Sequence, residues 1–141
     1  MSLYLDASAI VPTLVEEASS GAVGRFLADS EDQWVVGGLA AIEVTSALSR
    51  LVRMKLMAQD KGLELLTNFD QWRAMHTVTG EIGAGDFPLA DLFVRRFDLA
   101  LRAPDALHLA ACRRGDHTLV TLDRRLAGAA EALGVGVSFL G

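Results

Sequence analysis

Hydrophobic positions along the chain alternate between short apolar runs and longer segments in which apolar residues recur every three to four positions. A short apolar run is typical of a buried strand, and the wider spacing is typical of a helix packed on one face. Val44, Leu48, Leu51 and Val52 show the helical spacing. Five strands are predicted at Ser2–Leu5, Gln33–Val36, Thr77–Thr79, 117–121 and 135–139. The first helix is predicted from residue 9 to a break at 16–21, and a second, short helix runs from that break to about residue 28. Further helices are predicted over 39–54, 58–74, 86–101, 104–114 and 123–133.

Capping residues set the expected ends of several helices. Ser8 and Asp86 are predicted as N-caps, because their side-chain oxygens can accept a hydrogen bond from a free backbone N–H. Pro104 suits the first turn of a helix, and Gly115 is the predicted C-cap of that helix. Alternation of short apolar strands with helices predicts a parallel sheet covered by helices on both faces. No linker or repeat interrupts the pattern, so one α/β domain of residues 1–141 is expected.

Four acidic residues lie where predicted strands give way to helices. Asp6 and Asp123 each follow a strand, Asp105 opens the helix that contains Pro104, and Glu43 lies in the first turns of the helix after the second strand. The carboxyl ends of parallel strands share one edge of a sheet, and ligands bind at that edge. We therefore expect these four carboxylates to converge there, within the distance at which a metal ion could bridge them.

Each acid taken alone also fits a structural role, since carboxylates stabilise helix N-termini. Glu43 fits that role least well, because small residues, Ala40 and Ala47, flank it along its helix. Four carboxylates at one edge repel each other unless protons or cations neutralise them. Oxygen-only ligation favours the hard ions Mg²⁺ and Mn²⁺ over zinc.

Charge and composition limit the classes of partner. The formal net charge is −5, from 13 basic and 18 acidic residues, which differs from the basic face usual in nucleic-acid binders. The four candidate acids account for most of this imbalance, since the remaining acids number 14. The sequence shows no signal peptide and no apolar stretch of membrane-spanning length, and Cys112 is the only cysteine, so a cytoplasmic protein is expected.

The motifs LDASAIV, LAAIEVTSAL, RAPDALHLAAC and TLVTLDRRLAGAAEALGV, in this order, resemble the PIN-domain ribonucleases. Their resemblance is greatest to the VapC-type toxins of bacterial toxin–antitoxin pairs. It implies a PIN-like three-layer α/β/α domain with a parallel sheet of four to five strands. It also implies a Mg²⁺- or Mn²⁺-dependent endoribonuclease that leaves a 5′ phosphate and a 3′ hydroxyl. The implied catalytic and metal-binding residues are Asp6, Glu43, Asp105 and Asp123, with hydroxyls of Ser8 and Thr121 near the metal.

Further residues are candidates for contacts with RNA or protein. Arg50 and Arg124 could contact an RNA phosphate; the alternative for Arg50 is a surface salt bridge, and for Arg124 it is a solvated side chain. His108 is interpreted as a packed, hydrogen-bonded histidine rather than a metal ligand. A homodimer is expected, together with an antitoxin that lays an apolar segment in a groove and directs an arginine toward Asp6 and Asp105. The candidate apolar surface is on the helix 58–74 and comprises Leu63, Leu66, Phe69 and Trp72.

Other functions are compatible with acids at a sheet edge. A receiver domain needs a lysine at the end of a late strand, but the two lysines, Lys55 and Lys61, lie far from one. A haloacid-dehalogenase-type phosphatase needs an aspartate two residues after the first, where this chain has Ser8. Two alternatives stay open: a PIN-domain nuclease of RNA processing without a toxin role, and a non-catalytic binding module of the same fold.

Overall fold

A computed structural model describes all residues from Met1 to Gly141. Its centre is a five-stranded sheet in which every neighbouring pair is parallel, in the order β3-β2-β1-β4-β5. The strands are β1 (Ser2–Leu5), β2 (Gln33–Val36), β3 (Thr77–Thr79), β4 (Thr118–Thr121) and β5 (Val137–Phe139). The first strand is therefore central, and its carboxyl end lies in the middle of one sheet edge.

Seven α-helices cover the sheet: α1 (Ala7–Leu14), α2 (Ser20–Asp29), α3 (Gly38–Arg53), α4 (Gln59–His76), α5 (Asp86–Val94), α6 (Ala103–Gly115) and α7 (Arg124–Ala132). Side chains of β1 alternate between the two faces. Tyr4 packs in a core with residues of α5, α6 and α7, whereas Leu3 and Leu5 pack in a second core with residues of α1 to α4. This arrangement confirms the three-layer α/β/α architecture with a parallel sheet.

The N-terminus of α1 differs from the prediction. Helix α1 begins at Ala7, and its N-cap is Asp6, whose side chain accepts a hydrogen bond from the Ala9 backbone N–H. Ser8 lies within the first turn, so the prediction of Ser8 as the cap was wrong. Both residues are good capping types, and the tertiary contacts of the Ser8 hydroxyl with β4, described below, decide between them.

The region predicted as one helix over 86–101 contains two elements. Helix α5 ends at Val94, and a short 3₁₀ helix follows over Phe97–Leu99. Ala100 adopts a left-handed backbone conformation that no α-helix allows. The apolar spacing continues through Phe97, but that side chain is 86% exposed, so no core contact extends the helix.

Both predicted caps around α5 and α6 also change. Asp86 is the first residue of α5, and its carboxylate accepts a hydrogen bond from the Gly83 N–H instead of capping the helix. The C-cap of α6 is Asp116, with φ of 53°, and Gly115 is the last helical residue. A Cβ on Gly115 would lie 2.1 Å from the His117 ring, so close packing explains the glycine.

None of these helices combines the length and the apolar character that crossing a membrane requires.

The two ends of the sheet have different chemistry. Arg114, at the end of α6 just before the amino end of β4, forms an ion pair with the buried Asp86. At the other edge, Asp6 and Asp123 follow the carboxyl ends of β1 and β4, and Glu43 lies on the helix that follows β2. The carboxyl edge therefore carries the candidate site.

Candidate active site

Asp6 lies at the carboxyl end of the central strand and is only 6% exposed. Its carboxylate accepts hydrogen bonds from the Ser8 hydroxyl at 2.6 Å and the Thr121 hydroxyl at 2.7 Å. A third hydrogen bond comes from the Ala9 N–H at 3.1 Å. The carboxylate is thus fixed by groups from α1 and β4 at once.

Burial raises the pKa of Asp6 above its ordinary value, because the charged form loses contact with water. The hydrogen bonds from Ser8, Thr121 and Ala9 oppose this effect, and so does the nearby imidazole of His108. Asp6 forms no ion pair with lysine or arginine. The site consequently holds a buried carboxylate without a cationic partner.

Thr121 connects Asp6 to Asp123. Its hydroxyl donates to Asp6 and accepts a hydrogen bond from the Asp123 N–H at 3.0 Å. The Ser8 hydroxyl accepts from the Leu122 N–H at 2.9 Å, which joins α1 to the end of β4. The side chain of Asp123 caps α7 through Oδ1, which accepts from the N–H groups of Arg125 and Leu126.

Glu43 lies in the second turn of α3, where its Oε1 atom forms a short hydrogen bond with His108 Nε2. His108, on α6, is 2% exposed and also forms a 2.8 Å hydrogen bond between Nδ1 and the Tyr4 hydroxyl. Burial raises the pKa of Tyr4, and the neighbouring Cys112, Glu43 and Asp6 raise it further. Tyr4 therefore lies close enough to Glu43 and Asp6 for the charges of these carboxylates to affect its pKa.

Asp105 lies in the first turn of α6, three residues before His108. Spacing of three residues puts both side chains on the same face of the helix. The Asp105 carboxylate accepts a hydrogen bond from the Arg102 guanidinium at 3.3 Å. Arg102 itself is mostly exposed.

The model of the PIN domain family matches residues 3–132, which include every residue of this site. The chain belongs to the PIN domain family. Ribonuclease VapC35 of Mycobacterium tuberculosis is 30% identical to it, over 96% of this chain and 94% of the relative. This similarity assigns the chain to the VapC-type members of the family.

Solved structures share the fold. VapC20 of M. tuberculosis, a toxin that cleaves the sarcin–ricin loop, matches 90% of this PIN domain and 94% of its own chain, with a TM-score of 0.72 and 15% identity. VapBC2 of Rickettsia felis, bound to a DNA fragment from its promoter, matches the full length of both chains, with a TM-score of 0.70 and 10% identity. At these identities the likeness confirms the PIN-like fold.

In the orientations that they have here, the four acids of this PIN domain do not form a ready metal site, since no three Asp, Glu, His or Cys side chains form a group that could hold one metal ion. Each acid has a hydrogen-bond partner in the protein: Asp6 bonds to hydroxyls, Glu43 to His108, Asp105 to Arg102, and Asp123 to the start of α7. The convergence of the four carboxylates around an ion stays a prediction.

The chemistry of the donors nevertheless fits a hard divalent cation. Asp6 and Asp123 have no lysine or arginine partner, and Asp6 is buried, so its negative charge is poorly compensated. A carboxylate in this position is stabilised by a cation that replaces the missing counter-charge. Carboxylate and hydroxyl oxygens are the ligand types that Mg²⁺ and Mn²⁺ prefer.

The two candidate RNA-binding arginines lie on different elements. The Arg124 guanidinium follows Asp123 directly and stacks over the Phe139 ring, 5.0 Å from its centroid. Arg50 is exposed near the end of α3, two turns beyond Glu43. Neither forms an ion pair with a protein carboxylate, so the role of each in RNA binding stays a prediction.

Sequence reasoning correctly described His108 as packed and hydrogen-bonded, but it missed the partners of that residue. Tyr4 and Arg102 received no role from the sequence, although both contact the site in the fold. The three-residue spacing between Asp105 and His108 did indicate that His108 could face the site. The contact of His108 with Glu43 joins residues 65 positions apart, and only the tertiary fold, which brings these side chains of α3 and α6 together, reveals it.

Proposed function

We propose that this PIN domain is a metal-dependent endoribonuclease and the toxin of a toxin–antitoxin pair. The observation that carries the proposal is Asp6, a buried carboxylate without a cationic partner at the carboxyl end of the central strand. Membership of the PIN family and the identity to a VapC ribonuclease support the nuclease activity. The metal requirement is supported by the residue types at the site.

Asp6, Glu43, Asp105 and Asp123 would hold a Mg²⁺ or Mn²⁺ ion. When bound, such an ion lowers the pKa of a coordinated water and offsets the negative charge of a phosphodiester. The chain requires an ion for this purpose because its own site residues are mainly acidic and would repel RNA.

Other residues of the protein orient Asp6 and bind the RNA. Hydroxyls of Ser8 and Thr121 hold the Asp6 carboxylate in one orientation, so this side chain is pre-organised at the carboxyl edge of the sheet. Arg124 and Arg50 would contact the phosphates that flank the cleaved bond, because guanidinium groups bind phosphate through paired hydrogen bonds. Hydrolysis would leave a 5′ phosphate on one fragment and a 3′ hydroxyl on the other.

An antitoxin partner is supported by the fold shared with toxin–antitoxin complexes such as VapBC2. Helices α3 and α4 border a groove of about 300 Å³ whose apolar lining is Leu48, Val52, Leu63 and Leu66. Leu63 is exposed, whereas Phe69 is buried in the core and is therefore not part of the docking surface. We propose that an apolar antitoxin segment occupies this groove and that an antitoxin arginine reaches Asp6 and Asp105.

The existing contact of Asp105 with Arg102 supports the last point, since it shows that this carboxylate accepts a guanidinium. We also propose that the protein is a homodimer and acts in the cytoplasm. Light scattering of the purified chain and capture of the product of the adjacent gene test the assembly. A strict monomer that ignores that product, and whose overexpression leaves growth unchanged, would overturn the toxin role and leave the nuclease to be tested separately.

The nuclease is tested by RNA cleavage with Mg²⁺ or Mn²⁺, with and without a chelator. Wild type is compared with Asp6→Asn, which keeps the size of the side chain and removes its charge. Asp98→Asn is the matched control, because Asp98 is an exposed aspartate paired with Arg96 in the 3₁₀ helix outside the site. Cleavage that needs the ion, is lost in Asp6→Asn and persists in Asp98→Asn supports the proposal. Cleavage that survives chelation, or that Asp6→Asn retains, would contradict it.

A further inference from the structure

His108 is a buried histidine whose two ring nitrogens both form hydrogen bonds. Nε2 pairs with the Glu43 carboxylate, and Nδ1 lies 2.8 Å from the Tyr4 hydroxyl. The rings of Tyr4 and His108 also meet edge to face, with centroids 5.6 Å apart. The side chain therefore joins α6 to α3 and to the central strand, the elements that carry or adjoin Asp105, Glu43 and Asp6.

Donor and acceptor types give this chain of hydrogen bonds a direction. An ionised Glu43 carboxylate can only accept, so Nε2 of His108 carries the hydrogen. In the neutral ring, Nδ1 then has a lone pair and accepts from the Tyr4 hydroxyl. Burial raises the pKa of Tyr4, so its hydroxyl keeps the proton that it donates.

Packing around Tyr4 holds the first member of the chain in place. A Cβ at Gly37 would lie 3.0 Å from the Tyr4 hydroxyl oxygen and 2.6 Å from the Gly80 carbonyl oxygen. The absence of a side chain at Gly37 thus leaves room for the hydroxyl beside the ends of β2 and β3. In this position the Tyr4 hydroxyl forms its hydrogen bond with His108 Nδ1.

We propose that His108 is a positioning residue that fixes the Glu43 carboxylate through the directed chain Tyr4 O–H to His108 Nδ1 and His108 Nε2–H to Glu43. Its importance for metal binding rests on the proposed function; the directed chain itself does not. A histidine that only filled the core would need neither the Nε2 contact nor a fixed tautomer. The consequence is that Glu43, a long side chain that is 34% exposed, is held in one orientation before any ion binds.

Metal affinity tests the importance of the contact. Partners that orient metal ligands typically contribute about 10- to 100-fold to affinity or activity. We expect His108→Leu to weaken Mn²⁺ binding, measured by calorimetry, by that factor. His108→Gln, whose amide can donate from near the Nε2 position, should recover most of the loss. Tyr4→Phe should weaken binding less, because it frees the ring without removing the donor to Glu43.

His76→Leu is the control, since His76 is an exposed histidine at the end of α4, outside the site. It should leave Mn²⁺ affinity unchanged. Circular dichroism and the melting temperature of each metal-free variant verify that it folds. A folded His108→Leu variant with wild-type Mn²⁺ affinity would overturn the positioning role.

Nitrogen-15 NMR of the His108 ring at neutral pH tests the directed chain without metal or RNA. We expect the Nε2–H tautomer in the wild type, and changed ring shifts in Glu43→Gln and in Tyr4→Phe. The Nδ1–H tautomer or a doubly protonated ring would contradict the proposed direction of the hydrogen bonds from Tyr4 through His108 to Glu43, even if the enzyme cleaves RNA. If the wild type neither binds Mn²⁺ nor cleaves RNA, the proposed function fails, and the NMR result alone decides the positioning role.

Discussion

The hydroxyl of Thr121 donates a 2.7 Å hydrogen bond to the carboxylate of Asp6, across the pairing of β4 with β1. These residues are 115 positions apart in the sequence and lie at the carboxyl ends of adjacent strands. The same hydroxyl oxygen accepts from the Asp123 N–H, so one threonine orders the end of β1 and the start of α7. The contact makes the buried charge of Asp6 tolerable, because hydrogen bonds to the charged form lower the pKa that burial raises.

Thr121→Val should therefore raise the pKa of Asp6 further and destabilise the protein. Valine matches threonine in shape but removes the protein partner of Asp6 Oδ2 and of the Asp123 N–H. Loss of such bonds to a buried group costs about 1–3 kcal/mol. Urea unfolding at neutral pH measures the change. Thr79→Val, the same substitution on the exposed end of β3, should change the free energy of unfolding by less than about 0.5 kcal/mol. Equal effects of the two substitutions would contradict the role of Thr121.

Asp6→Asn should stabilise the metal-free protein at neutral and alkaline pH. The folded-state pKa of Asp6 lies above the ordinary value, so its ionisation opposes folding. Stability from this group is present at acid pH and is lost as the pH rises through the raised pKa. Each tenfold weakening of the acid corresponds to about 1.4 kcal/mol.

The measurement is the free energy of unfolding between pH 4 and 8, with chelator present. We expect the wild type to lose stability relative to Asp6→Asn as the pH rises across this range. A constant difference between the two proteins over the whole range would show that the charge of Asp6 does not oppose folding.

Mg²⁺ or Mn²⁺ should raise the melting temperature of the wild type, because an ion that binds the folded state alone shifts the folding equilibrium. An ion at 100 times its dissociation constant contributes about 2.7 kcal/mol. The chelated protein should return to the original melting temperature. Asp6→Asn should show a smaller increase, and Asp98→Asn should respond as the wild type does. A melting temperature that stays unchanged across millimolar concentrations of both ions would argue against the site.

Asp86→Asn should destabilise the protein in a way that depends on pH. Asp86 is 1% exposed and accepts two hydrogen bonds from Arg114, which is half exposed. Those bonds hold the pKa of Asp86 below its ordinary value. The stabilisation is complete above the ordinary pKa and is lost as the pH falls through the lowered one.

At neutral pH the loss should be about 1.5–3 kcal/mol, the usual contribution of hydrogen bonds to charged groups. Denaturant unfolding of wild type and Asp86→Asn at pH 7 and near pH 3 measures it. The difference should be smaller at the acid pH, because the wild-type carboxylate is then partly protonated. A difference that does not change with pH would show that packing, rather than charge, explains the cost.

The sequence by itself determined which segments form strands and helices, and where the acids lie relative to them. Short apolar strands that alternate with helices are typical of a parallel sheet covered on both faces, so that arrangement was predictable from periodicity. The resemblance to PIN domains implied the same three layers. Asp6 and Asp123 could be assigned to the carboxyl edge because each directly follows a strand. Helix ends were less certain: Asp6 and Ser8 are both capping residues, and local preference alone does not choose between them.

Only the tertiary structure decided what each acid contacts. Hydrogen bonds between Asp6 and Thr121 and between Glu43 and His108 join residues far apart in sequence, and they depend on strand order and on the packing of α6 against the sheet. The burial of Asp6, and with it the raised pKa, likewise comes from the surrounding elements. Side-chain orientation at the site depends on these donors, and the sequence did not indicate them. Periodicity reports which face a residue lies on, whereas hydrogen-bond partners depend on atomic distances that no local pattern contains.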